Sequence, residues 1–271
     1  MHAASRASIT AVATSLDSFI AQSDAVVVGA HIGPELFDVV DVLDANRDLR
    51  VALIDPAAPS DKRVDLADRV FGDKLNEASR SVLCSAVDKT WSNTRDFRNG
   101  LVQLGQRALF RAAEAQGRLT TVESELFQLA RVLEGSPELE MLLADRQTSA
   151  DRRRHLLASV VYGKVTSVTE TLSLQAVARA KERPVEACET LSRQAAHLRG
   201  YEVAHVVTAG VMSDSQRSTL AEKLGRIYGH KMSIHGEVDP SILGGMVVRV
   251  GDERIDGSTA GKLDKLRRAF A

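Results

Sequence analysis

Residues Asp239–Phe270 read DPSILGGMVVRVGDERIDGSTAGKLDKLRRAF. Three glycine-bearing breaks divide this stretch into two apolar strands and a basic helix. Gly244-Gly245 permits close backbone approach just before the strand Met246–Val250. Gly251-Asp252 starts a turn, and Asp256-Gly257-Ser258 ends the next strand and supplies a helix cap. The closing helix places Leu263, Leu266 and Phe270 on one face, with Lys262, Lys265, Arg267 and Arg268 elsewhere. Working upstream, Val203–Ala209 reads as a strand and Ser213-x-x-Gln216 as a capping box. The box opens a helix with Leu220, Leu224 and Ile227 on one face, and Met232, Ile234 and Val238 then alternate as a second strand. Strand, helix, strand, hairpin, helix is a compact α/β unit.

Everything before residue 200 reads as helix, and it repeats. Shifted by 90 residues, Glu35–Leu109 aligns without a gap on Glu125–Arg199, with sixteen of seventy-five pairs identical. Composition alone gives roughly 6 to 8. The identities include Leu36/Leu126, Phe37/Phe127, Val42/Val132, Leu43/Leu133, Leu53/Leu143 and Leu101/Leu191 on apolar periodic positions. Asp55/Asp145, Asp61/Asp151 and Arg63/Arg153, read as loop residues, match as well. A register kept over that length predicts a duplicated helical bundle.

In the second copy the helices fall at Leu104–Ala115, stopped by Gly117, at Val122–Leu133 behind a Thr120 or Thr121 cap, and from Pro137 through Leu143. Ser149–Tyr162, Val165–Lys181 and a long helix opened by Pro184 follow. The opening helix of the first copy, about Ser8–Gln22, does not align, so an insertion lies near Ala25–Gly33. The fold class is mostly α, a duplicated bundle followed by a small α/β domain. The expected division is 1–102, 103–200 and 201–271.

The chain has 271 residues, 44% of them hydrophobic and 4% aromatic, enough for two or three domains packed through small aliphatic contacts. A formal net charge of −1 supplies no field for nucleic acid or an acidic membrane. Cys84 and Cys188 have no metal-ligand spacing, which fits a reducing compartment. No run approaches the roughly 18 apolar residues that span a bilayer. The Ser-rich first sixteen residues carry Arg6 as their only arginine and read as an unprocessed bacterial-type terminus.

No reactive constellation emerges, and no catalytic, cofactor-binding or metal-ligating residue is predicted. Gly257–Lys262 lacks the glycine spacing of a phosphate loop, and Gly244-Gly245 enters a strand instead of a phosphate-binding helix. His230 and His235 point to opposite faces of a strand and read as solvated, with Asp239 the only acid near His235. Ser258 reads as a cap, and Asp252, Glu253 and Asp256 as solvated turn carboxylates. Arg152-Arg153-Arg154-His155 reads as a solvated face whose charge opposes a helix dipole; the other reading is an acidic partner.

Val238–Ser258, VDPSILGGMVVRVGDERIDGS, closely resembles the C-terminal signature of the F-type ATP synthase delta subunit family, whose mitochondrial counterpart is the oligomycin-sensitivity-conferring protein. Arg107–Gly117, RALFRAAEAQG, resembles that family's first helix, and Gly200–Ala209 its entry into the second domain. The similarity spans about Gln103–Ala271, and the six helices of the second copy equal the number in the family's N-terminal domain. The resemblance implies a non-catalytic stator on the peripheral stalk, at the cytoplasmic face of a bacterial membrane and without insertion into it. Its bundle would grip the N-terminal segments of the head's α subunits, with Leu104–Ala115 and Val165–Lys181 as walls of the groove. Its C-terminal domain would meet the C-terminal end of the b subunit in a hetero-oligomeric complex. The family's usual chain has one bundle, so Met1–Gln103 is an extension expected to add a second helical contact along stalk or head. Composition and repeat alone also allow a free helical adaptor of the same fold.

Overall fold

The computed structural model describes residues 2–179 and 182–263. Among them the helices are α1 (Ala3–Ala21), α2 (Ala25–Ala45), α3 (Arg47–Ala52), α4 (Ser60–Phe71), α5 (Glu77–Asp88) and α6 (Thr94–Ala115), then α7 (Leu119–Glu134), α8 (Pro137–Ala144), α9 (Ala150–Val161), α10 (Ser167–Arg179) and α11 (Pro184–Leu198). The chain continues through β1 (Tyr201–Thr208), α12 (Asp214–Tyr228), β2 (Lys231–Val238), β3 (Met246–Val250) and β4 (Glu253–Asp256). The mostly helical fold with a small α/β C-terminal part is thus present. Leu266, Phe270, Lys265, Arg267 and Arg268 of the closing helix, and Lys181 at the expected end of α10, lie outside the described residues. The chain falls into two compact units, Met1–Val122 with Leu142–Lys181, and Glu123–Met141 with Glu182–Ala271.

In the first unit the expected insertion Ala25–Gly33 is the N-terminal half of α2, capped by Asp24, which accepts from the amides of Val26 and Val27. Glycines set the contact of α2 with α6. A Cβ on Gly33 would lie 2.4 Å from Leu109 Cγ, and one on Gly105 would lie 2.7 Å from Phe37. Their lack of side chains lets the two backbones approach. The helix expected at Leu104–Ala115 is the second half of the longer α6, which starts at Thr94. It runs across the division expected at 102/103. Leu104, Ala108, Phe110 and Ala112 are all buried, and Gly29 of α2 lies against Ala108 and Ala112. The extension thus covers the apolar face of that stretch, while Gln106, Arg107, Arg111 and Glu114 remain partly or fully exposed. The signature-like arginines of α6 have an intramolecular role too: Arg107 and Arg111 converge on Asp17 of α1 at 2.5–2.7 Å. Burial alone would raise the Asp17 carboxyl, but those hydrogen bonds and charges hold it below its ordinary value.

The 90-residue offset recurs in helix starts and in single contacts. Ser60, Glu77 and Thr94 begin α4, α5 and α6, and Ala150, Ser167 and Pro184, each 90 residues later, begin α9, α10 and α11. Asp55 accepts from the amide of Ala57 and Asp145 from that of Gln147, both at 2.9 Å, giving the same Asx turn twice. Asp61, Arg63, Asp151 and Arg153 sit in the first turns of α4 and α9 and not in loops. Arg63 and Arg153 are buried, at 7% and 6% exposure. Arg63 donates to the carbonyl of Asp88, the last residue of α5, and Arg153 to the equivalent carbonyl of Ala178 near the end of α10. A helix C-terminus leaves carbonyls without intrahelical partners, and a buried guanidinium with several donors satisfies them. Arg153 adds bonds to the carbonyls of Val177, Asp145 and Thr148.

Other boundaries differ in small ways. Helix α7 starts at Leu119, ahead of Thr120 and Thr121, because Gly117 at φ +67 and the Arg118 amide bonded to the Ala113 carbonyl finish α6 in a tight C-terminal motif. In the second unit the strand order is β2-β1-β3-β4, with β1 and β2 parallel across α12 and the other pairs antiparallel. The Ser213/Gln216 capping box forms as expected. Helix α12 covers one sheet face through Leu224 and Leu220, over Ala204, Val206, Ile234, Val248 and Val250. Ile227, expected on that apolar face, is 69% exposed.

Arg153→Met leaves the end of α10 without its cap and lowers stability in urea unfolding by about 2–4 kcal/mol, whereas Arg63→Met, with one long bond to lose, costs less. Equal losses at the two sites would contradict the asymmetry.

Candidate functional site

The sheet face turned away from α12 carries polar side chains, and strand alternation puts Ser233, His235 and Glu237 of β2 on it together. Three α7 residues spaced four apart, Glu123, Phe127 and Arg131, share one helix face. Glu123 is 2% exposed. Its Oε1 accepts from Ser233 Oγ and lies 3.0 Å from His235 Nε2, while Oε2 accepts from Arg199, at the end of α11, at 2.7 Å. The Glu123 backbone carbonyl accepts from Ser192 of α11 at 2.7 Å. One turn on, the Phe127 ring stacks on His235 with centroids 4.4 Å apart and approaches His205 of β1 at 5.8 Å. A further turn on, Arg131 pairs with Glu189 of α11, Glu237 of β2 and Glu134, and its guanidinium lies over the Phe127 ring.

Burial would raise the Glu123 carboxyl, but hydrogen bonds from His235 and Ser233 and the charge of Arg199 hold it below the ordinary range. His205 moves down to about 4, first by burial and then by His235, Arg249, Arg131 and Arg193 around it. Its chemistry is that of a buried, mutually hydrogen-bonded ion cluster, which holds elements together.

Several readings of the sequence need correction. His235 is not solvated: it is 6% exposed and its acid is Glu123, not Asp239. The alternation of β2 was consistent with a wet face, and only a helix packed over that face makes it dry. His230 is exposed as expected. Arg153 and Arg154 do not form a solvated face; Arg154 meets Asp41 at 2.5 Å, so the acidic partner is within the chain. Arg179 lies 3.6 Å from both Asp41 and Asp44, and Arg98 lies 3.1 Å from Asp44. The Arg154 and Arg179 pairs tie α2 to α9 and α10, and the Arg98 pair ties it to α6.

The signature residues do what their types suggest. Gly245 has φ +74, and a Cβ there would meet the Gly257 carbonyl oxygen at 2.4 Å. Ser258 caps the closing turn by accepting from the Gly261 amide and donates to Asp256 at 2.6 Å. Glu253 accepts from the Tyr228 hydroxyl, and Asp252 is exposed. A cleft of about 540 Å³ opens beside the end of β1, between Thr208–Met212, α12 and Gly245–Met246. Cys188 is fully buried, which pushes its thiol up to about 12. Among the described residues no group of three or more His, Cys, Asp or Glu side chains is placed to hold a metal ion.

The family model described as ATP synthase delta (OSCP) subunit matches residues 106–270. ATP synthase subunit delta of Corynebacterium kroppenstedtii is 83% identical over 271 residues, covering 100% of both chains. The protein of that name from Corynebacterium urealyticum is 55% identical over 272 residues, again with 100% of both covered. The residues ahead of the family match thus have counterparts in these relatives. A chain of the Polytomella F-ATP synthase aligns at 27% identity over 26% of this chain and 90% of its own, with a TM-score of 0.24, too low to bear on the arrangement.

A folded-state pKa near 4 for His205, below the unfolded value near 6.5, means stability fully present above pH 6.5 and lost as pH falls towards 4. Glu123, also lowered, adds a loss that begins as pH falls below its unfolded value of 4.5. His205→Asn therefore flattens the fall in the unfolding midpoint between pH 6.5 and 4; a fall as steep as that of the unsubstituted chain would sink the assignment.

Proposed function

The chain belongs to the ATP synthase delta (OSCP) subunit family, and on that premise we propose that it is a non-catalytic peripheral-stalk subunit of an F-type proton-translocating ATP synthase, tying the catalytic head to the b-subunit stalk. The family match across 106–270 carries this reading. Rotary catalysis puts an equal and opposite torque on the head. Without a tie, the head would turn with the rotor and proton flow would do no synthetic work. Such a tie needs stiffness and affinity, and the chemistry of the buried cluster is consistent with that.

The partners in this reading are the N-terminal segments of the α subunits, held by the helical region, and the C-terminal end of the b subunit, held by the α/β region. The complex lies at the cytoplasmic face of a bacterial membrane, with this chain peripheral to it; among the described residues no helix is long and apolar enough to cross a membrane. Residues 1–102 are read as a diverged copy of the bundle at 103–200, followed by the signature domain at 201–271. The extension braces the second copy, a role supported by the ion pairs of Asp17 with Arg107, Asp41 with Arg154 and Asp44 with Arg179. It adds helical contact along the stalk or head.

Affinity capture of the full chain from a bacterium that makes it yields α and b subunits in stoichiometric amounts, and the isolated chain hydrolyses no ATP. Capture of other proteins without α and b would favour a free adaptor of the same fold. ATP turnover by the isolated chain would end the non-catalytic reading.

A further inference from the structure

We propose that α7 is locked in register onto β2 by a three-step side-chain zipper, Glu123 to Ser233 and His235, Phe127 to His235, and Arg131 to Glu237, so that α7, α11 and the sheet deform as one body. This goes beyond the stator reading and does not depend on it. Helix residues four apart advance about 6 Å along the axis, and strand residues two apart advance about 6.6 Å. Over three steps the mismatch stays under about 2 Å, which side chains absorb. That near-match lets consecutive turns of α7 meet consecutive same-face residues of β2. A slip of β2 by one residue would turn Met232 and Ile234 to the Glu123 carboxylate and Ser233, His235 and Glu237 to α12. Helix α11 closes the third side, with Arg199 and Ser192 on Glu123 and Glu189 on Arg131.

The internal repeat supplies a control within the same molecule. Within the aligned stretch Phe37 and Asp41 stand for Phe127 and Arg131, and carrying the same 90-residue register two residues further back along the continuous helix α2 sets Gly33 against Glu123. The aromatic step is kept, the buried acid becomes a glycine pressed on Leu109, and the cation becomes an acid that meets Arg154. Only the copy that continues into a sheet carries the zipper charges. They answer to the strand and are not a general need of the helix.

Hydrogen exchange on the isolated full chain tests the lock while leaving its place in the synthase aside. As urea rises, the slowest amides of α7 and β2 in the unsubstituted chain merge into one opening transition. In Glu123→Gln they separate, β2 amides exchanging about tenfold faster while those of α2 and α6 keep their rates. Separate transitions in the unsubstituted chain, an unchanged β2 rate in the variant, or an equal acceleration in α2 and α6 would each overturn the proposal. Should Glu123→Gln give no folded protein, Arg131→Gln at the wetter end of the zipper decides by the same readings. Failure here leaves the subunit capture result untouched, and the reverse also holds.

Discussion

A carboxylate taken out of water must have both oxygens satisfied, and at Glu123 that constraint brings three elements of different origin to one point. Serine and histidine from β2 serve one oxygen, and the arginine at the end of α11 serves the other. None of the donors is local in sequence, so the carboxylate is satisfied only when helix and sheet are both in place. Removing any one donor leaves charge or polarity buried without compensation, which is far costlier than the net gain of forming the pair. The cluster therefore acts less as a source of stability than as a condition on which arrangement is allowed.

The first copy of the bundle solved a different problem with the same helix. At the position of Glu123 it has Gly33, whose missing side chain admits α6, and at the position of Arg131 it has Asp41, which reaches the second copy through Arg154 and Arg179. The buried arginines Arg63 and Arg153, by contrast, keep the same task, because every helix end leaves carbonyls to be satisfied whatever lies beyond it. Duplicated positions stayed alike where the demand was local and diverged where it came from a neighbour. Helix α6 combines both cases: its start repeats in α11, while its second half, with Arg107 and Arg111, is committed to α1.

The same distinction explains what could be read from the sequence. Glycines at Gly244-Gly245, the cap at Ser258, the box at Ser213 and the β3 strand are local devices, and each was legible within a few residues. The 90-residue register and the family signature made the recurring helix starts and the C-terminal fold legible too. His235, Arg153 and Arg154 were misread because their partners lie outside any local window, at Glu123, at the carbonyls closing α10 and at Asp41. One signal was available: Glu123 interrupts the stripe that Val122, Leu126, Leu129 and Ala130 place on α7, and its repeat equivalent is a glycine. An acid beside a buried stripe implies donors, though not where they come from. The first half of α6 was missed because the division drawn at 102/103 cuts through the helix.

A connector under torque has to resist shear between its parts, and apolar contact alone resists it poorly. Hydrophobic burial is non-directional, so two smooth apolar faces can slide while keeping nearly the same buried area. Hydrogen bonds and ion pairs weaken steeply with displacement and angle. Sliding α7 along β2 by one helical turn would move Glu123 to the place of Phe127 and leave a buried carboxylate against a ring stack, a state costing several kcal/mol. The two sides of the sheet thus differ in kind. Helix α12 covers one face with aliphatic side chains, while α7 and α11 hold the other by directional bonds. The stiff direction of the second unit runs along the polar face, and a load carried from bundle helix to sheet would travel through it.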